Sequence, residues 1–189
     1  MRIVLVFHGL PKANFVSPLA EISANPTLTF EGMSKVHSLV PELRALGSFD
    51  ALFSSRMARA TDTASILSVV FDLENHTLKG LSLYANKEGD EVVYYPGHEG
   101  ENFGTWRKAG LAALETIFEA CRPGETALAV SHRPVIAAIV CAAKGITDHK
   151  KIKALADDPG FVAKGFVILD VREEGRLGEL KLSVVEQTF

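Results

Sequence analysis

Cysteine is scarce in this 189-residue chain, which has only Cys121 and Cys141, neither in a CxxC or CxxH group. That excludes a disulfide framework and a short zinc motif, and implies buried free thiols in a reducing compartment. An excess of positive charge is also missing. Lys and Arg number 20 against 23 Asp and Glu, a formal net charge of -3, and no long basic cluster occurs. A polynucleotide backbone is therefore an unpromising partner. Net charge says little about one pocket, however, and a small anion needs only two or three well-placed arginines. Long apolar runs are absent too. The longest uncharged stretch, residues 134–143, falls far short of the roughly 20 residues that cross a bilayer, so no membrane span is expected. The apolar run at 3–7 stops at His8-Gly9, too early for a secretory signal, and a cytoplasmic protein is expected.

Nucleotide-binding loops are missing as well: no G-x-G-x-x-G, no G-x-x-x-x-G-K-[ST], and no G-x-S-x-G nucleophile elbow. The six histidines form no H-E-x-x-H or other short metal-ligand spacing, so neither a metal nor a cofactor is expected. What remains is 47% hydrophobic and 23% charged, an ordinary globular composition. The length suits one domain over residues 1–189, large enough to bury roughly 70% of its extended surface.

The continuous apolar run Ile3-Val4-Leu5-Val6-Phe7 reads as a strand buried on both faces, with His8 at its C-terminal mouth. A helix follows Thr29, with Met33, Val36, Leu39, Val40, Leu43 and Leu46 on one stripe; Pro41 should bend or divide it, and Gly47 should stop it. Residues 50–54 form a second strand candidate and 58–70 a helix, with Arg59 in its opening turn. Residues 80–100 read as a substrate-covering loop or a solvated connection. A long helix over 102–121 leads to a short buried strand at 127–131, and His132 again stands at a strand mouth. Pro134 suits the first turn of the next helix. A short helix over 150–156 and a hairpin from 165–170 and 180–186 complete the reading. Repeated strand, loop and helix imply an α/β three-layer sandwich: a mainly parallel central sheet, helices on both faces and a C-terminal hairpin at the sheet edge.

His8, Arg59 and His132 thus all belong to the carboxyl ends of strands, where open α/β sheets place their ligands. A neutral imidazole can attack phosphorus, and a guanidinium holds phosphoryl oxygens with directional, charge-assisted hydrogen bonds. The trio favours phosphate-ester chemistry over hydride transfer. His37, His76 and His149 are more simply surface or helix-end residues, while His98 and Tyr94 are candidates for an entrance.

Three segments carry a more specific signal: Phe7-His8-Gly9, the stretch Ser54-Ser55-Arg56-Met57-Ala58-Arg59-Ala60-Thr61-Asp62-Thr63-Ala64, and Ser131-His132-Arg133-Pro134. In that order and spacing they resemble the signatures of the histidine phosphatase, or phosphoglycerate mutase-like, superfamily. The resemblance implies a phosphohydrolase that cleaves a phosphomonoester through a phosphohistidine at His8. Arg59 would be a phosphate-binding arginine, and His132 the second histidine that contacts the transferring phosphoryl group. The family's general acid comes from the region between the second and third signatures, where Glu88 and Glu91 are the loop candidates; Asp90, Glu99 and Glu101 lie nearby.

Phe7 departs from the pattern, which normally reads Arg-His-Gly and supplies a first arginine there. A phenyl ring donates no hydrogen bond to phosphate. Lys12, Arg56 and Arg133 are candidates to replace the missing charge. The alternative is a weakened or inactive phosphatase-like protein that binds an anionic ligand or acts as a scaffold. Either way, the implied partner is a small phosphate-bearing molecule.

Overall fold

The computed structural model describes residues 1–12, 25–83, 99–174 and 179–185, with side chains 99–101, 173–174 and 179–180 excepted. Six strands make one sheet: β1 (Arg2–Phe7), β2 (Ala51–Ser54), β3 (Asn75–Thr77), β4 (Thr126–Ser131), β5 (Phe166–Glu174) and β6 (Glu179–Val185). Their order is β3-β2-β4-β1-β5-β6. The first four are parallel, and β5 and β6 run antiparallel at the edge as a hairpin. Hence the expected mainly parallel sheet with an edge hairpin is what forms.

Strand β1 lies inside the sheet between β4 and β5, and Ile3 to Val6 are fully buried. Successive side chains point to opposite faces, which is why an unbroken apolar run was required here. Val4 and Val6 join Val36, Val40, Leu43, Ala60, Ala64 and Leu67 on the face covered by helices α1 (Phe30–Ala45) and α2 (Ala58–Phe71). Ile3, Leu5 and Phe7 face the other side. There α3 (Glu99–Ala120), α4 (Arg133–Ala143), α5 (His149–Asp157) and α6 (Pro159–Ala163) pack with Trp106, Ile117, Ile136 and Ile139. These are the two helical layers of the sandwich.

Pro41 neither divides nor ends α1, which continues to Ala45. The residue is exposed in the second half of the helix, so the carbonyl deprived of a partner at exposed His37 faces water. Met33 also leaves the predicted stripe. It is 36% exposed, and Gly32 takes its place against the fold. The reason is close approach: a Cβ on Gly32 would run into the Leu10 backbone, and one on Gly9 would stand 2.7 Å from the Gly32 carbonyl oxygen. The loop after β1 therefore presses on the first turn of α1.

Among the described residues, no helix is long and apolar enough to cross a membrane. Both cysteines are free, with Cys141 buried and Cys121 partly so. Strand β3 and helix α6 were not expected. Asn75-His76-Thr77 is a three-residue polar edge with no apolar alternation, whereas α6 follows the cap-and-proline pair Asp158-Pro159.

Candidate active site

Strands β1 and β4 are parallel neighbours with Phe7 opposite Ser131. One residue further on, His8 and His132 leave the sheet side by side, and the His8 amide donates to the Ser131 carbonyl at 3.2 Å. The ring centroids lie 5.0 Å apart at 61°. Arg59, from the first turn of α2 beyond the mouth of β2, completes the group: its Nε–H donates to His8 Nε2 at 3.2 Å. Residues more than 120 positions apart thus share one opening, because all three follow parallel strands.

His8 is partly buried, and its Nδ1 lies 2.7 Å from the Gly9 carbonyl oxygen, so Nδ1–H is the donor. The Nε2 lone pair therefore points at the guanidinium. Burial is the main force that pushes the His8 pKa down to about 4. The Gly9 carbonyl opposes this, and the Arg59 and Arg133 cations add to it. The imidazole is neutral at pH 7. His132 is fully buried, and its pKa is held well below the usual histidine range by burial first, then by His8 and Arg59.

The loop after β1 is held by the second motif. Gly9 donates its amide to Thr63 Oγ1 at 3.0 Å, and the Thr63 hydroxyl donates to the Arg59 carbonyl at 2.8 Å. Asp62 accepts the Leu28 amide at 3.0 Å, and Asn25 accepts the Ala58 amide at 2.8 Å at the start of α2. Thr63 and Asp62, to which the sequence pattern assigns no role, tie the His8 loop and the segment before α1 to α2. Helices α2 and α4 both begin at this opening; Asn25 takes the first amide of α2, and the N-cap residue of α4, His132, makes no side-chain cap. Their positive dipole ends favour an anion.

Beneath His132 lies a buried hydroxyl pair. Ser55 Oγ is 2.8 Å from His132 Nε2 and donates to Ser82 Oγ at 2.9 Å. The amides of Met57 and Arg56 donate to Ser55 and Ser82 at 3.1 and 3.0 Å. Sequence reading missed this pair. Ser55 was visible inside the second motif, but Ser82 stands after the 3-10 turn Lys79–Leu81 and carries no local signal.

Phe7 does not enter the opening. It is 7% exposed and meets Phe161 edge-on, ring centroids 5.2 Å apart at 82°. Of the three replacement cations considered, Arg133 is the one whose charge acts on His8; its side chain is half-exposed and 3.9 Å from Asp157. Arg56 and Lys12 are exposed, and their backbone amides serve Ser82 and the Thr27 carbonyl. Glu88, Asp90, Glu91, Tyr94 and His98 lie outside the described residues, as do the side chains of Glu99 and Glu101. Among the described residues no three His, Cys, Asp or Glu side chains gather as a metal site.

Residues 3–86, which hold His8 and Arg59, fit the family model described as histidine phosphatase superfamily (branch 1). That span is 84 of the 189 residues, and over it the chain is similar to the histidine phosphatases. No curated protein matches the sequence significantly. Among solved structures, Bacillus stearothermophilus YhfR is 22% identical with a TM-score of 0.71, over 97% of this chain and 95% of that one. Phosphoserine phosphatase from Entamoeba histolytica, in complex with 3-phosphoglyceric acid, is 18% identical with a TM-score of 0.68, over 98% and 97%. Plasmodium falciparum phosphoglycerate mutase is 21% identical with a TM-score of 0.59, over 98% and 89%. At these identities the likeness is one of fold, and it runs along nearly the whole chain.

Proposed function

We propose that this protein is a phosphohydrolase that cleaves a small phosphomonoester through a phosphohistidine at His8, without a bound metal. The observation that carries the reading is the preparation of His8: one ring nitrogen gives its proton to the Gly9 carbonyl, and the other turns a lone pair to Arg59. An entering phosphoryl group takes over the Arg59 N–H, freeing that lone pair. Nε2 then attacks phosphorus as the ester P–O bond breaks, and the leaving oxygen gains a proton from Glu88 or Glu91. Water next attacks the phosphohistidine, its proton goes to the same carboxylate, and inorganic phosphate leaves with His8 restored. Arg59, His132 and the two helix N-termini meet the charge that develops on the phosphoryl oxygens.

The second reading, a weakened or inactive relative that binds an anion, is favoured by Phe7, whose ring packs on Phe161 where the family pattern has an arginine. One experiment separates the two. Phosphate release from a panel of small phosphomonoesters is compared between wild type and His8→Ala, with mass spectrometry for a phosphohistidine. The expected outcome is release by wild type and a loss of at least about a thousandfold in the variant. Equal release by both removes His8 as nucleophile. Absence of release and of phosphohistidine, with measurable phosphate binding, establishes the second reading.

A further inference from the structure

We propose that Ser55 is the positioning residue of His132, and that Ser82, by accepting the Ser55 hydroxyl proton, fixes the His132 proton on Nε2 and leaves a lone pair on Nδ1. This deepens the phosphatase reading and rests on it for its catalytic consequence. A serine hydroxyl has one proton and two lone pairs. Ser55 spends its proton on Ser82 Oγ and one lone pair on the Met57 amide, so its bond to His132 Nε2 is one that it accepts. The Arg56 amide holds Ser82 Oγ in place in turn. Ser55 and His132 are fully buried and Ser82 nearly so, which shields this arrangement from water.

His132 Nδ1 is the buried ring atom left over, with no hydrogen-bond partner. Such an orphan costs stability unless something else engages it. The charged and polar groups acting on the ring are His8 from the β1 mouth and Arg59 from α2. The Arg59 cation acts against a further proton on the ring, so the nitrogen the serines leave free keeps its lone pair in the free protein. That lone pair repels a fully ionised phosphoryl oxygen and accepts a proton from a P–OH group. His132 therefore receives a phosphomonoester as its monoanion: the bound phosphoryl charge offsets the burial and the Arg59 cation that keep the ring neutral in the free protein, and the P–OH proton moves to Nδ1, giving an imidazolium bound to Ser55 through Nε2–H and to the phosphoryl oxygen through Nδ1–H. No other bond changes in this step.

The test is nitrogen NMR on full-length protein with 15N-labelled histidine, read beside kcat and KM. Wild type should show His132 protonated at Nε2 alone, and at both nitrogens after addition of inorganic phosphate. Ser82→Ala frees the Ser55 hydroxyl to donate to Nε2, and the proton should move to Nδ1. Ser55→Ala leaves Nε2 unheld; both tautomers should appear, and kcat should fall about ten- to a hundredfold with KM nearly unchanged. Should Ser55→Ala fail to fold, Ser82→Ala decides. A wild-type proton on Nδ1, or an unmoved tautomer in Ser82→Ala, overturns the proposal. Correct tautomers in a protein that releases no phosphate sink the phosphatase reading instead, and leave the role of Ser55 standing.

Discussion

His8 and His132 leave neighbouring strands one residue past a matched pair, and their surroundings prepare them differently. His8 is partly exposed; its loop supplies the hydrogen-bond acceptor, and the nitrogen left over faces a cation. His132 is fully buried, and a serine from another strand mouth binds one of its nitrogens. Equivalent positions in a parallel sheet thus give one imidazole whose remaining nitrogen faces a cation and another whose remaining nitrogen is buried without a hydrogen-bond partner. The backbone decides where the rings stand, and the hydrogen bonds behind them decide which nitrogen is presented.

The matched pair itself offers the sharpest break in this symmetry. Phe7 packs in the core, whereas its partner Ser131 uses its hydroxyl to hold the Leu81 carbonyl at 2.6 Å. Phe7→Ala should destabilise the fold by about 3–5 kcal/mol in denaturant titration, and Ser131→Ala by about 1 kcal/mol. Equal losses would mean that the phenyl ring is not the anchor of the β1 mouth.

Next in size is Arg59→Ala, expected to cost about 2.7–4 kcal/mol of transition-state stabilisation, roughly a hundred- to a thousandfold in kcat/KM. It should also raise the His8 pKa from about 4, because the guanidinium opposes protonation; burial, the larger cause, keeps it below 6.5. Arg59→Lys keeps the charge and loses the planar fork, so its pKa effect should be small while much of the rate loss remains. An unshifted His8 titration in Arg59→Ala would detach the two groups.

Both histidines were legible in the sequence, because apolar runs such as residues 3–7 announce buried strands and the residue after each run must emerge at the sheet edge; Arg59 was legible as the opening turn of the helix that follows a third strand. The hydroxyl pair was not. Ser55 and Ser82 are 27 positions apart and meet through two loops, and a serine at a loop carries no periodicity to betray a contact. The edge strand β3 failed for a related reason: it is three polar residues at the sheet edge, with no apolar alternation to announce their pairing with β2. Pro41 shows the opposite case: the helix runs on undivided past it, because the affected carbonyl belongs to exposed His37.

The pH dependence of stability follows from the same contrast. His8 has a folded pKa of about 4 against 6.5 for the ordinary side chain, so the unfolded chain binds its proton first as pH falls. Its contribution is fully present above about pH 6.5, is lost progressively below that, and has gone once pH passes below 4. The loss amounts to about 3 kcal/mol, and His132 acts in the same direction. Denaturant midpoints across this range should fall less steeply in His8→Asn than in wild type. Parallel curves would show that the His8 ring takes up its proton equally easily in both states. The same value predicts phosphate release persisting at pH 5, where an ordinary imidazole is mostly protonated.

The smallest expected effect tests how each mouth is held. After β4 the chain enters α4 at once, with Pro134 in the first turn and no capping side chain. After β1 it takes a loop clamped from outside: Thr29 accepts the Gly32 amide at 2.9 Å as the cap of α1, and its hydroxyl donates to the Leu10 carbonyl at 3.1 Å. Thr29→Ala should therefore cost about 1 kcal/mol, with Thr29→Ser recovering most of it. Because Gly9 keeps its bond to Thr63, the rate should fall only a few-fold. If Pro134→Ala destabilised the protein more than Thr29→Ala, the tighter control would lie at the β4 mouth, and the clamp on the His8 loop would be incidental to its placement.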